Sequence, residues 1–399
     1  MAEIKPIGID QTTGQARSVA SSDNLVNDIG DVIELAVTQV GDYSGGVNNA
    51  QLIFPWSNPQ RLADPASLPD GAGNDIAWSP DNEFLAVAYE GAVPGGTYFS
   101  VYQRTGITLN KVVTPSLPGP ARGVDWSYSG EFLSFANGDF SSVIFVTTYQ
   151  RSGSVFTKLS NPAALPPNSP YSAAWSPNGE FLVIAHQNSP NVLIYQRSET
   201  TFTKLADPAT VPPGVGRNAA WSPNNEFLVI AHHTSPYITI YQRNGTTFTK
   251  LADPSTLPTG NGLGAAWSPN GEFLAISYDA TPFITIYQRS GTAFNKIADP
   301  SSLPGSTANG VAWSPNGKYL AVAESNSPYI VVYFKDGNTF TRQANPATLP
   351  TGSGNRAAWS TNGEFLSVAH STTPYITTYQ TSSSMPAGGI VTTIGLTLT

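Results

Sequence analysis

One short phrase, a variant of A-W-S-P-N-G-E-F-L, recurs seven times along this 399-residue chain. The successive tryptophans are 48, 49, 46, 46, 46 and 46 residues apart, at Trp78, Trp126, Trp175, Trp221, Trp267, Trp313 and Trp359. Repeats of this length build arrays of similar units, because each unit buries its apolar surface against its neighbours. The repeat therefore predicts a chain of seven packed modules, which extend from about residue 60 to residue 380.

Each module reads as four short strands. In the fourth module these are residues 218–221, 227–231, 237–241 and a last strand that begins at residue 248. The turn after the tryptophan is Pro-Asn-Gly in three of the seven copies and a close variant in the others, and Asn and Gly tolerate the positive φ of a tight hairpin. The second and third strands are continuously apolar, which indicates that both of their faces are covered.

Blades stacked around a ring cover both faces of each sheet, and a repeat of about 40–45 residues with four strands is typical of propellers. The sequence therefore predicts an all-β, seven-bladed β-propeller with four-stranded blades. No segment shows a useful 3.6-residue apolar period, which excludes a helical solenoid. The units resemble WD40-type repeats, but the Gly-His and Trp-Asp signatures of that family are missing. The resemblance implies the fold and none of that family's partners.

The ends of the repeat region predict how the ring closes. The segment R-L-A-D-P at residues 61–65 matches the fourth-strand segment K-L-A-D-P at residues 204–208, whereas no such copy follows the last module. We expect the seventh blade to take three strands from the C-terminal end and one from residues near 60–64, which removes an exposed edge. The predicted domains are an arm at 1–50, a propeller at 51–384 and a strand-like tail at 385–399.

Composition excludes several classes of protein. The net charge is −8, the pI is about 5.0 and only 12% of residues are charged, which argues against the clustered Lys and Arg of nucleic-acid-binding proteins. The absence of cysteine excludes disulfides, thiolate metal sites and a cysteine nucleophile. No secretory signal and no apolar run long enough to insert into a membrane are visible, so we expect synthesis in the cytoplasm.

The first residues carry a second motif. Residues 4–26 contain the phrase G-x-D-x-x-T-G-Q-x-R and a following aspartate, made up of Gly8, Asp10, Thr13, Gly14, Gln15, Arg17 and Asp23. This stretch resembles the N-terminal module of bacteriophage tail-fibre and other virion-appendage proteins. The resemblance implies attachment to a virus particle or the start of a homo-oligomer, with other virion proteins as partners. The alternative is an ordinary polar N-terminal arm.

The loops between blades vary over a constant scaffold, which is how binding faces are usually built. Candidate binding residues on this variable face are Asp75, Arg122, Arg217, Asn309 and Arg356, with Tyr237, Tyr329 and Tyr375 at the starts of third strands. The charged residues are expected just before their inner strands, near the mouth of a central channel, where a glycan or an anionic group would bind. The alternatives are solvated charges at loop ends and tyrosines that serve packing.

We predict no catalytic residue, no cofactor and no metal site. His186, His232 and His370 are repeat-equivalent and too far apart around a ring to share one zinc ion, so they are interpreted as rim positions. The predicted function is a non-enzymatic virion protein, part of a head or tail appendage, whose propeller contacts a glycan or another host surface. Two alternatives remain open: a bacterial WD40-like interaction scaffold, and a carbohydrate-active propeller enzyme.

Overall fold

A computed structural model describes residues 7–9, 16–18, 56, 59–91, 97–112, 115–138 and 146–381. The chain divides into two compact units, one formed by Pro59–Gln380 and the other by residues 1–58 with 381–399. Throughout the described part of the chain there is no helix with the length and apolar character needed to cross a membrane.

The larger unit consists of seven antiparallel four-stranded sheets, which confirms the predicted propeller. The strands of blades 1 to 6, in chain order, are β4 (Gly71–Trp78), β5 (Phe84–Gly91), β6 (Phe99–Thr105), β7 (Thr108–Lys111); β8 (Ala121–Trp126), β9 (Phe132–Asn137), β10 (Val146–Ser152), β11 (Val155–Lys158); β12 (Pro170–Trp175), β13 (Phe181–His186), β14 (Val192–Ser198), β15 (Thr201–Lys204); β16 (Gly216–Trp221), β17 (Phe227–His232), β18 (Ile238–Asn244), β19 (Thr247–Lys250); β20 (Gly262–Trp267), β21 (Phe273–Tyr278), β22 (Ile284–Ser290), β23 (Ala293–Lys296); β24 (Ala308–Trp313), β25 (Tyr319–Glu324), β26 (Ile330–Asp336) and β27 (Thr339–Arg342).

Blade 7 closes the ring with strands from both ends of the repeat region. It contains β28 (Gly354–Trp359), β29 (Phe365–His370), β30 (Ile376–Gln380) and, as its outer strand, β3 (Gln60–Arg61). Gln60 lies opposite Gln380, and the Leu62 amide donates to the Thr378 carbonyl at 2.8 Å. The predicted closure is therefore confirmed. It gives the outer edge of β30 a partner strand.

The inner strands begin earlier than the sequence predicted. In blade 4, β16 begins at Gly216 and pairs there with His232, two residues before the predicted start. Arg217 therefore lies within the inner strand, not just before it, and Arg122 and Arg356 lie within β8 and β28 in the same way. Their side chains consequently project from a paired strand toward the channel.

The repeated tryptophans pack between neighbouring blades. The Trp221 ring is stacked on Phe181 of blade 3, with centroids 5.8 Å apart, and meets Phe248 of its own blade edge-on at 5.8 Å. The same arrangement recurs around the ring, as in the Trp267 stack on Phe227. Each tryptophan thus fills the wedge between two sheets.

The second strands lie inside their sheets, and in blades 2 to 7 they are buried along their whole length. Their last residues include His186, His232 and His370, which are 0% exposed. The rim position predicted for these histidines is therefore wrong, because the loop before each inner strand covers the end of the second strand. His232 Nε2 instead lies 2.9 Å from the Thr239 hydroxyl inside the blade.

Apart from Trp56 and Thr381, the described part of the smaller unit is a short hairpin. In it β1 (Ile7–Ile9) pairs antiparallel with β2 (Ala16–Ser18), and Gly8 lies opposite Arg17. The sequence did not predict this pairing, which brings the two ends of the virion-like phrase together. The other anchor candidates lie outside the described residues, namely Asp10, Thr13, Gly14, Gln15 and Asp23.

Candidate functional site

The upper face of the propeller is the face on which the inner strands begin and the second strands end. There, the fourth residue before each repeated tryptophan points toward the axis. This set, together with Glu90 and Arg356, lines a cavity of about 330 Å³, here called the channel mouth. Its members are Asn74, Arg122, Tyr171, Arg217, Leu263, Asn309 and Asn355. A single column of the repeat therefore builds the site, with one residue from each blade.

Three consecutive blades supply one wall of the mouth, here called the charged wall, which consists of Arg122, Tyr171 and Arg217. The guanidinium carbon of Arg217 lies 4.1 Å from the centre of the Tyr171 ring, and that of Arg122 lies 5.2 Å from it. Cation–π contacts of this kind hold a guanidinium flat against a ring and leave its edge N–H groups able to bind a partner. Arg122 is paired with Glu90, whose Oε1 is 3.0 Å from the arginine Nε.

Arg217 differs from Arg122 in its charge balance. Among the described residues no carboxylate lies within ion-pair distance of Arg217. Burial lowers the pKa of the Arg217 guanidinium, the interaction with Tyr171 opposes that effect, and repulsion from Arg356 and Arg122 adds to it. A bound anion would therefore stabilise the charged form of Arg217.

Opposite the charged wall, three asparagines form an amide wall that joins the blades. Each side-chain nitrogen donates to the backbone carbonyl that lies five residues before the tryptophan of the next blade. The bonds are Asn74 to Ala121 at 2.9 Å, Asn309 to Gly354 at 2.8 Å and Asn355 to Gly73 at 2.8 Å. Asn309 is a candidate binding residue from the sequence, but its amide nitrogen donates a hydrogen bond to the next blade.

Below the mouth, the channel is a second cavity of about 380 Å³ with two carboxylates on its wall. Asp75 accepts the amide of the following residue at 2.9 Å and that of Val124 in the next blade at 3.0 Å. Asp125 does the same, with the amide of Trp175 at 2.7 Å. Both aspartates therefore bridge neighbouring blades, and Asp75 lies beneath the mouth.

The channel environment raises the pKa of both carboxyl groups. Burial raises the pKa of Asp75 to about 6, although the Arg356 charge and two backbone amides oppose the change. Burial raises the pKa of Asp125 to about 7, and the nearby negative charge of Asp75 adds to the effect of burial. The two groups consequently change their charge near neutral pH, which ordinary surface aspartates do not.

Arg356 forms the floor of the mouth and is part of both cavities. Its guanidinium donates to the carbonyl of Asn309, to that of Asn355 at 3.1 Å and to that of Leu263 at 3.0 Å. Burial lowers the pKa of Arg356, whereas the Asp75 charge acts in the opposite direction. Much of the hydrogen-bonding capacity of this candidate residue is therefore used within the ring.

The three candidate tyrosines lie in the loops between second and third strands and do not line the channel mouth. The carbonyl of Tyr237 accepts the amide of His232 at 2.9 Å, and Tyr329 and Tyr375 make the equivalent bonds. All three have positive φ, between 67° and 69°. Gly262 of the next blade packs on the Tyr237 carbonyl, where a side chain would collide. We assign these tyrosines to the turn and to blade packing.

Several residues that line the mouth and channel were not among the candidates from the sequence, and five of them belong to the polar site described above: Asn74, Glu90, Asp125, Tyr171 and Asn355. Four of them could have been found by aligning the repeats on their tryptophans and comparing the positions just before. Glu90 could not, because it lies near the end of a second strand and reaches the mouth through Arg122. No group of three or more His, Asp or Glu residues in the described ranges could hold a metal ion.

Comparison with known proteins supports the fold. Residues 202–359 match the family model described as "Lactonase, 7-bladed beta-propeller". A chain of the "Crystal Structure of Mitotic Checkpoint Complex" is similar at 17% identity and a TM-score of 0.63, covering 87% of this chain and 100% of that one. A chain of the "Kuenenia stuttgartiensis Hydrazine Synthase" is similar at 14% identity and a TM-score of 0.60, covering 79% and 97%.

No curated protein matches the chain significantly. At such low identity the two structural likenesses show the fold alone, and they agree with the WD40-like resemblance of the repeats. None of the comparisons bears on the likeness of residues 4–26 to virion appendages, which stays a prediction.

Proposed function

We propose that this chain is a non-enzymatic binding protein whose channel mouth recognises a glycan or another anionic group on a host surface. The observation that carries the proposal is Arg217, a cation stacked on Tyr171 with no paired carboxylate among the described residues. Arg217 is half-buried, and a partly desolvated cation without a paired carboxylate at the wall of a pocket is a candidate anchor for a ligand of opposite charge.

The broader role follows from the sequence motif. The likeness of residues 4–26 to virion-appendage modules supports a structural role in a phage particle, with the smaller unit as the attachment part. β3 begins and β30 ends on the same edge of blade 7, so the two flanking segments join the propeller at one place.

The binding proposal is tested by a glycan array that includes bacterial surface polysaccharides, probed with the full chain. Arg217→Gln is expected to lose most of the wild-type signal, because charge-assisted hydrogen bonds contribute about 1.5–3 kcal/mol each. Lys250→Gln is the matched control: it removes one positive charge from the same blade, at an outer ion pair with Asp253. Binding that Arg217→Gln leaves intact, or no binding to any glycan or host cell, would count against the proposal.

The virion proposal needs a separate experiment. A chain that lacks residues 1–50 is expected to retain the melting transition of the propeller but to be absent from purified particles assembled with it. Incorporation of the shortened chain at the wild-type level would contradict an anchoring role for this segment.

A second candidate function is hydrolysis of a lactone, and the match of residues 202–359 to a lactonase model favours it. In that reaction water attacks the ester carbonyl, the ring C–O bond breaks, and a hydroxy acid is released. Its new carboxylate is the kind of group that the charged wall would bind. A pH-stat assay with five- and six-membered sugar lactones, at rates compared with the uncatalysed reaction, decides this alternative.

A further inference from the structure

Most of the charged side chains described at the channel mouth have a group of opposite charge nearby, and one of them does not. The mouth is lined by Glu90, Arg122, Arg217 and Arg356. Arg122 is paired with Glu90 at 3.0 Å, and Arg356 is held by three backbone carbonyls and by the field of Asp75 below it. Arg217 therefore supplies about one positive charge that nothing described in the chain compensates.

The opposite wall is suited to hydroxyl groups. Each asparagine of the amide wall uses its nitrogen for a backbone carbonyl, and no described residue donates to the amide oxygens. An amide oxygen that lines a cavity accepts hydrogen bonds from O–H donors. The amide wall thus offers acceptors where the charged wall offers donors. A ligand that fits both would carry an acidic group on one side and hydroxyls on the other.

The size and shape of the mouth further restrict the class of ligand that it can bind. About 330 Å³ is at the small end of the range for ligand pockets, roughly 300–1,000 Å³. The guanidinium of Arg217 lies against the Tyr171 ring, which leaves a planar fork of N–H groups. Such a fork matches the two oxygens of a carboxylate.

We propose that the channel mouth binds a singly charged, carboxylated sugar unit of the uronic or sialic acid class, with Arg217 as the anchor of the carboxylate. This inference rests on the proposed function and specifies its ligand. Glu90 is a specificity residue in this arrangement, because its pairing with Arg122 keeps the surplus charge of the mouth near one. Doubly charged sugars such as phosphate monoesters are disfavoured by the same pairing.

The test is calorimetric titration of the full chain with glucuronic acid, glucose, glucose 6-sulfate and glucose 6-phosphate. Wild type is expected to bind glucuronic acid at least about tenfold more tightly than glucose, and also more tightly than the sulfate and the phosphate, since one charge-assisted bond changes affinity by about that factor. Arg217→Gln should abolish the preference for glucuronic acid over glucose, whereas Lys250→Gln should leave all four affinities unchanged.

Glu90→Gln provides the sharper arm. Without the carboxylate, Arg122 joins Arg217 as an uncompensated cation, and we expect affinity for glucose 6-phosphate to rise about tenfold relative to glucuronic acid. Thermal melting of each variant shows whether the ring is intact, and only folded variants are compared.

Equal affinity for glucose and glucuronic acid, or a wild-type preference for the sulfate or the phosphate, would overturn the inference. The array experiment separates this failure from that of the proposed function. Binding of neutral glycans that depends on the mouth would leave the proposed function standing without the carboxylate specificity. No mouth-dependent binding of any glycan would remove both.

Discussion

The two ends of the inner strands follow different rules. At the lower end, all seven strands finish in tryptophan, and the described rings pack on an aromatic residue of the preceding blade. At the upper end, only four residues away, the seven equivalent positions hold four kinds of side chain. The lower end is a constant because each blade must fit the next one. The upper end varies because the side chains there face the channel mouth.

This contrast gives a rule for interpreting the ring. A change at a repeated position should cost stability wherever it is made, whereas a change at the upper end should alter binding and leave the stability nearly unchanged. The rule demands the largest effect on the free energy of unfolding at the repeated tryptophans.

Trp221→Ala should destabilise the propeller by about 3–5 kcal/mol, because it leaves a cavity between Phe181 and Phe248. The measurement is chemical denaturation of the full chain, followed by tryptophan fluorescence. Trp221→Phe is the control, since it keeps an aromatic ring in the wedge and should lose less. A loss below about 1 kcal/mol for the alanine variant would show that the lower ends are not the wedges described here.

The upper ends of the second strands also vary in residue type, but they are buried. They therefore test whether variation at the upper face always marks a binding position. His232 is 0% exposed, and burial lowers its pKa to about 4. When the pKa of a histidine is lowered in the folded state, the protein loses stability as the pH falls from about 6.5 toward 4. The reason is that, in this range, only the unfolded state takes up the proton readily. Variation at this position therefore reflects local packing and not a binding site.

His232→Tyr should reduce the acid sensitivity of the ring. Tyr278 occupies the equivalent position in blade 5, and its hydroxyl lies 2.8 Å from Thr285, as His232 Nε2 lies 2.9 Å from Thr239. Between pH 8 and pH 5, we expect the free energy of unfolding to fall by about 1–2 kcal/mol more in wild type than in the variant. Urea denaturation at the two pH values measures this difference. Parallel losses of stability in both proteins would contradict a buried neutral histidine.

Asp125→Ala tests a position where one blade departs from the repeat. The other six blades have alanine immediately before the tryptophan, so the substitution restores the common residue. The pKa of Asp125 is raised to about 7, so the folded state holds the proton more tightly and wild type loses stability as pH rises from about 4 to 7. The variant lacks this loss.

We expect the stability of Asp125→Ala relative to wild type to improve by about 1–2 kcal/mol between pH 5 and pH 8, since water in the channel screens part of the effect. The absolute stability at pH 5 should fall, because the bonds to Trp126 and Trp175 are lost. A constant difference across this pH range would mean that Asp125 ionises like a surface aspartate.

The sequence predicted the ring well because its determinants are local and repeated. The tryptophan motif and the turn after it recur in every unit, and the copy of the fourth strand near residue 60 is recognisable from its own residues. The structure confirms seven blades and their closure. The site was predicted only in part. Arg122, Arg217, Asn309 and Arg356 do line the mouth, but Tyr237, Tyr329 and Tyr375 do not.

The missing information concerns partners across blades. Whether an upper-end residue faces a ligand or a neighbouring backbone depends on contacts between residues about 45 positions apart in sequence, as in the bond from Asn309 to Gly354. Nothing near Asn309 distinguishes it from a ligand-binding residue. The pairing of Glu90 with Arg122 is of the same kind, since it joins blades 1 and 2 through side chains that the repeat does not specify.

The smallest expected effect on stability is also the strictest test of the comparison. Arg217→Leu places in blade 4 the residue that blade 5 has at the equivalent position, Leu263. It removes a cation that Arg122 and Arg356 repel and that burial disfavours, while it gives up the contact with Tyr171. Because these effects oppose each other, we expect the free energy of unfolding to change by less than about 1 kcal/mol, with no change in cooperativity. Denaturation of both proteins at low and at high salt measures it, since the repulsion is largest at low salt. A loss as large as that of Trp221→Ala would place Arg217 among the structural residues, and the upper end of the inner strand would then follow the same rule as the lower.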